Sequence, residues 1–80
     1  MAETSPSPAH VEALLAQLLA GAAGGTVNSW AALIGTLGRK QLSFYPRTNW
    51  TVRPVGTATE QDAIARAVEI VQAQHPYVAW

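Results

Sequence analysis

Apolar side chains at Val11, Leu14, Leu15, Leu18 and Leu19 recur with the three- and four-residue spacing of one buried helix face. Ser7 followed by Pro8 supplies a start. A serine hydroxyl accepts from a free first-turn N–H, and proline at the first helical position gives up a donor that would have had no partner. The pattern predicts a helix from about Pro8 to Ala20, stopped by Gly21, Gly24 and Gly25. Ahead of it, residues 1–7 are small, polar and proline-containing, the composition of a disordered tail with nothing to bury.

Residues 26–38 carry two competing periods. Trp30, Leu33, Ile34 and Leu37 have helical spacing, with Thr26 or Asn28 as N-cap and Gly38 as the stop, whereas Trp30, Ala32 and Ile34 alternate as a strand does. Both readings stay open here. Beyond them, Gln41 to Tyr45 and Trp50 to Val55 are aromatic and β-branched runs joined by the five-residue loop Tyr45-Pro46-Arg47-Thr48-Asn49, which predicts a hairpin over about 40–55. Setting Phe44 opposite Trp50 and Leu42 opposite Val52 points both pairs into a core and leaves Arg39, Gln41, Ser43, Thr51 and Arg53 on the other face. Pro54 requires a free edge near the end of the second strand.

A last helix is expected over about 59–75. Thr57 and Glu60 have capping-box spacing, with Thr59 and Asp62 as a second register. Ile64, Ala67, Val68 and Val71 form the buried stripe, widened by Ala63 and Ile70, and His75-Pro76 ends it. The closing Tyr77-Val78-Ala79-Trp80 is too apolar for a free tail and is expected to pack on the domain or add a strand. The sum is a small single α+β domain over 8–80, with two terminal helices on a two- or three-stranded antiparallel sheet. At 80 residues there is room for one core and no second domain.

Composition changes this picture at the surface. Only 12% of residues are charged, against about 25% in an average soluble domain. Five bases and five acids cancel to zero, but they are segregated. Between Ala13 and Gly38 there is no charge at all, and Arg39, Lys40, Arg47 and Arg53 follow with no acid between Glu12 and Glu60. Asp62, Arg66 and Glu69 have the spacing of surface ion pairs on the last helix. On the first helix, Ala9, Ala13, Ala16 and Ala20 leave Glu12 and Gln17 as the hydrated positions, fewer than a surface helix normally shows.

The chemistry on offer is thin. Without cysteine there is no disulfide, thiol nucleophile or zinc-finger spacing. His10 and His75 fall at opposite helix ends without acidic neighbours at ligand spacing. The Gly21-Ala-Ala-Gly-Gly stretch lacks the following Lys-Ser/Thr of a phosphate-binding loop. No catalytic residue, metal site, cofactor or small-molecule substrate is expected, nor a membrane span. A short apolar run before Ala20-Gly21-Ala22 has the form of a signal peptide, but Glu3 and Glu12 stand where its positive charge belongs, so a cytoplasmic location is expected.

Two function classes remain. One is a non-enzymatic protein-interaction module, self-associating or binding a protein partner through Ala9, Ala13, Ala16 and Ala20 and the terminal Tyr77 and Trp80. The other is a nucleic-acid-binding module using Arg39, Lys40, Arg47 and Arg53, with Tyr45 as a stacking surface. A helix, three strands and a helix is also the order of double-stranded RNA-binding domains. That family places lysines at the start of its second helix, where this chain has Thr59-Glu60-Gln61-Asp62.

Overall fold

In the computed structural model of the chain, residues 5–40 and 47–80 are described. The first helix, α1, spans Pro8–Ala23. The Ser7 hydroxyl accepts from the His10 N–H at 3.2 Å and Pro8 opens the first turn, as the sequence predicts. The helix runs past the expected end at Ala20, because Gly21 keeps an ordinary helical backbone. The stop comes at Gly24 and Gly25, whose φ angles of 85° and 86° lie in the region that glycine alone enters without penalty. Val11, Leu15 and Leu19 are buried, with Leu14 and Leu18 on one flank and Ala16 and Ala20 on the other.

The ambiguous segment is a helix, α2, over Val27–Ile34. Thr26 caps it by accepting from the Ser29 N–H at 3.1 Å. Trp30 and Ile34, four apart, are buried, and the intervening Ala32 is exposed, so helical spacing prevails over alternation. The Trp30 indole N–H donates to the Gly24 carbonyl at 2.7 Å, which satisfies the one polar atom of a buried ring and fixes the α1–α2 corner. The helix ends earlier than Gly38, at Gly35, whose N–H returns to the Ala31 carbonyl. Leu37 is then buried, and its N–H donates to the Glu12 carboxylate at 3.2 Å. Glu12, expected as a hydrated position, is instead half-buried and holds the chain where it leaves α2.

Two short strands follow, β1 at Gly38–Arg39 and β2 at Trp50–Thr51, paired antiparallel with Gly38 opposite Thr51 and Arg39 opposite Trp50. Lys40 N–H to the Asn49 carbonyl, at 3.0 Å, continues the ladder. This corrects the predicted register: Trp50 faces Arg39, not Phe44. The expected strand over 41–45, with Leu42, Phe44 and Tyr45, lies outside the described residues. The reason for the register is tertiary. Trp50 is wholly buried, its indole N–H donates to the His75 carbonyl at 2.9 Å, and its own carbonyl accepts from the Gln72 amide at 2.9 Å. Pinned there, it meets the residues that leave α2. Gly38 fits because a Cβ would stand 3.2 Å from the Thr51 methyl. Among the described residues the sheet has two strands, and Val52 packs against the core beyond β2.

The third helix, α3, spans Ala58–Gln74 and begins with the predicted capping box: Thr57 N–H to Glu60 Oε1 at 2.8 Å, Glu60 N–H to Thr57 Oγ1 at 3.2 Å. Ile64, Ala67 and Val71 are buried and Val68 and Ala63 pack beside them. Ile70 does not complete this stripe; it is 50% exposed. Arg66, expected to pair with Asp62 and Glu69, makes no ion pair with either, and all three are exposed.

Both α2 and α3 pack on α1. After the His75 cap the chain turns back beneath the sheet, burying Val78 and extending the Ala79 N–H to the Pro6 carbonyl at 2.8 Å. It does so without forming a third strand.

Candidate functional site

An apolar recess lies where the last turns of α1 meet the middle of α3. Leu18, Leu19, Ala22 and Ala23 form one wall and Ala63, Arg66, Ala67 and Ile70 the other, around a volume of about 260 Å³. The sequence accounts for its shape. Alanines on both helices leave the space between the axes unfilled, while Leu18 and Ile70, both longer, stand as its rims. Because α1 continues to Ala23, Ala22 and Ala23 extend the wall beyond the predicted helix end. Arg66 is the one charged residue in the lining, and it reaches this apolar recess without an ion partner among the described residues.

The four alanines singled out in the sequence do not make a common surface. Ala9 and Ala13 are exposed, Ala16 is fully buried in the core and Ala20 packs against it. Ala16 therefore touches this chain's own interior and cannot meet a partner. The physical reason is that α1 is covered on two flanks, by α2 and by α3, so its buried arc is wider than its leucine stripe.

Among the terminal residues Val78 turns inward while Tyr77 and Trp80 remain 39% and 45% exposed. Asn49 holds this strand-like end in place. Its side chain accepts from the Val78 N–H at 2.8 Å and donates to the Val78 carbonyl at 2.9 Å, its N–H donates to the Pro76 carbonyl, and its carbonyl accepts from the Trp80 indole N–H at 3.1 Å. The Trp80 ring, fixed by that bond, carries the Arg39 guanidinium 6.0 Å from its centre. Asn49 was invisible as an organiser in the sequence, because its partners lie about 30 positions away and no local spacing encodes them.

The basic residues are spread. Arg39, Arg47 and Arg53 are exposed; Lys40 is half-buried; Tyr45 lies outside the described residues. The observed register also separates them. Arg39, directly across from Trp50, takes Trp50's side of the pair, and Thr51 takes the other, so the expected single face shared by Arg39, Thr51 and Arg53 is not formed.

For acid–base or metal chemistry the described residues offer little. His10 sits exposed in the first turn of α1 and His75 caps the end of α3. No group of three or more His, Asp or Glu among the described residues is placed to hold a metal ion. Every buried side-chain polar atom among them has a hydrogen-bond partner, leaving none aimed into a cavity. No described helix is long and apolar enough to cross a membrane. The chain matches no protein-family model, no curated protein and no solved structure.

Proposed function

We propose that this chain is a small non-enzymatic protein-interaction module that engages another polypeptide through the groove between α1 and α3. The observation that carries the reading is Ile70. A β-branched side chain left half exposed on the rim of an alanine-floored recess is apolar surface that a docked side chain or helix would remove from water. The low charge of the chain supports it, since little electrostatic repulsion opposes association. A cytoplasmic location goes with this reading, because a cysteine-free chain draws no stability from an oxidising compartment.

The test is site-specific photo-crosslinking in the native host. A photoreactive amino acid at position 70 should capture a polypeptide that the same group at position 9, exposed on the far flank of α1, does not. Capture of nucleic acid alone, or equal capture from both positions, would remove the reading.

A second reading rests on the Arg39–Trp80 pair, in which an exposed guanidinium and a half-exposed indole lie at one place. Such a pair offers a phosphate contact and a stacking face to single-stranded nucleic acid. Titration with labelled oligonucleotides decides it: binding that weakens steeply with salt and is lost in Trp80→Ala supports this reading, and salt-independent or absent binding sinks it.

A further inference from the structure

The terminal segment 76–80 is held as a bound peptide would be. Asn49 clasps a single residue of it with two bonds: its side-chain oxygen accepts from the Val78 N–H at 2.8 Å, and its amide donates to the Val78 carbonyl at 2.9 Å. A residue of an antiparallel strand does the same when it exchanges both bonds with the residue opposite. The Asn49 amide therefore stands in for one residue of a strand, and it grips an extended main chain without reading a side chain. The Asn49 N–H adds a bond to the Pro76 carbonyl at 3.1 Å, and the Ala79 N–H reaches the Pro6 carbonyl at 2.8 Å.

Side-chain preference enters at two positions. Val78 is 4% exposed and belongs to the same buried cluster as Trp50. Trp80 donates its indole N–H to the Asn49 carbonyl at 3.1 Å and lies beside the Arg39 guanidinium. Ala79, between them, is exposed. The site thus asks for a branched apolar residue and, two places later, a tryptophan. Main-chain bonds for affinity with pockets for alternate side chains is the way a sheet edge takes an extended peptide.

The segment can lift away without dismantling its surroundings. Its hydrogen bonds named above run to Asn49 and Pro6, outside α3, and Val78 is the one buried residue among 76–80. The end of α3 is secured separately, by the His75 N–H on the Val71 carbonyl and by the Trp50 indole N–H on the His75 carbonyl. A stretch with so little apolar burial opens locally more readily than the core does.

We propose that Asn49 and the hole filled by Val78 form a peptide-recognition site, closed in cis by residues 76–80, which takes an extended Val-x-Trp segment of a partner polypeptide when the chain's own segment lifts away. This surface is separate from the groove between α1 and α3 and does not depend on it.

The test titrates a labelled peptide with the sequence of residues 75–80 into the full chain and into Val78→Ser, whose cis segment is weakened, with each variant checked for helical content by circular dichroism. Apparent affinity scales with the fraction of molecules whose site is open, so Val78→Ser should bind the peptide at least about tenfold more tightly than the unmodified chain. Adding Asn49→Ala should abolish that gain. A peptide with serine in place of the valine should bind at least about tenfold more weakly than its parent, because the buried apolar contact is lost. Binding that ignores Asn49, equal binding of the two peptides, or no binding to a folded Val78→Ser chain would each overturn the proposal. Should Val78→Ser fail to fold, the unmodified chain decides: millimolar peptide should move the Val78 and Ala79 amide resonances as the cis segment is displaced, and unmoved resonances sink the idea.

Discussion

At the scale of single residues, Gly21 and Gly56 respond to an added side chain in opposite ways. Gly21 was expected to help end the first helix, but it sits inside α1, exposed and with open space where a Cβ would point. Glycine in a helix interior costs about 1 kcal/mol relative to alanine through backbone entropy. Gly21→Ala should therefore stabilise the fold by about 0.5–1 kcal/mol, read as a rise in the denaturant midpoint at constant slope. Gly56 is the opposite case. Its φ of +116° is disfavoured for a side chain, and a Cβ there would lie 2.9 Å from the Glu60 carboxylate and 3.1 Å from Leu33. Gly56→Ala should destabilise by about 1–3 kcal/mol, with the backbone term and the disturbed capping carboxylate both contributing; an unchanged midpoint would contradict it. Glu12 shows the limit of local reading at this scale: its carboxylate serves the Leu37 N–H, 25 positions on, and nothing near it in sequence announces that bond.

At the scale of elements, starts were more legible than registers. Ser7, Thr26 and Thr57 each cap the helix that follows, since an N-cap acts within three residues of itself. Thr57→Ala removes one acceptor from the α3 capping box and should cost about 1 kcal/mol, with faster amide exchange at Glu60 as its local signature; loss of stability without that local change would mean the cap is not its cause. The strand pairing failed for a stated reason. Hydrophobic alternation specifies which faces match, and several registers of an aromatic-rich pair satisfy it. The one that forms is selected by Trp50, anchored to His75 and Gln72 of the C-terminal part of the chain. Ile70 is a similar miss. Its spacing fits the α3 stripe, but α1 ends in small residues where it would have been covered, and it emerges on the groove rim instead.

At the scale of the whole molecule, the fold is closed by a joint that no element contains. Asn49 connects β2 to the terminal segment through both of its side-chain polar groups, and Ala79 reaches the Pro6 carbonyl, so the two ends of the described chain are held together. Asn49→Ala leaves the Val78 N–H and carbonyl without these partners and should cost about 1–3 kcal/mol. Hydrogen exchange at Val78 and Ala79 should then accelerate while the centre of α3 stays protected. If Val78 keeps its protection, the joint is not what holds the terminus. The same whole-molecule view separates the two surfaces. The basic residues do not collect on one face, whereas the apolar recess and the unpaired Arg66 fall together on α3.

The amino-acid sequence by itself determined the first and last helices, their N-caps, the α+β class and most of the core, because each follows from interactions within about one helical turn or from periodicity along one element. Only the tertiary structure decided that 26–38 holds a helix ending at Gly35, that Trp50 pairs with Arg39, that Ala16 is interior and Ile70 is not, and that Arg66 stands unpaired over a groove. Each of these depends on which distant surface arrives to cover a residue. A side chain's own neighbours in sequence set its local conformation, but its burial is set by the element packed against it.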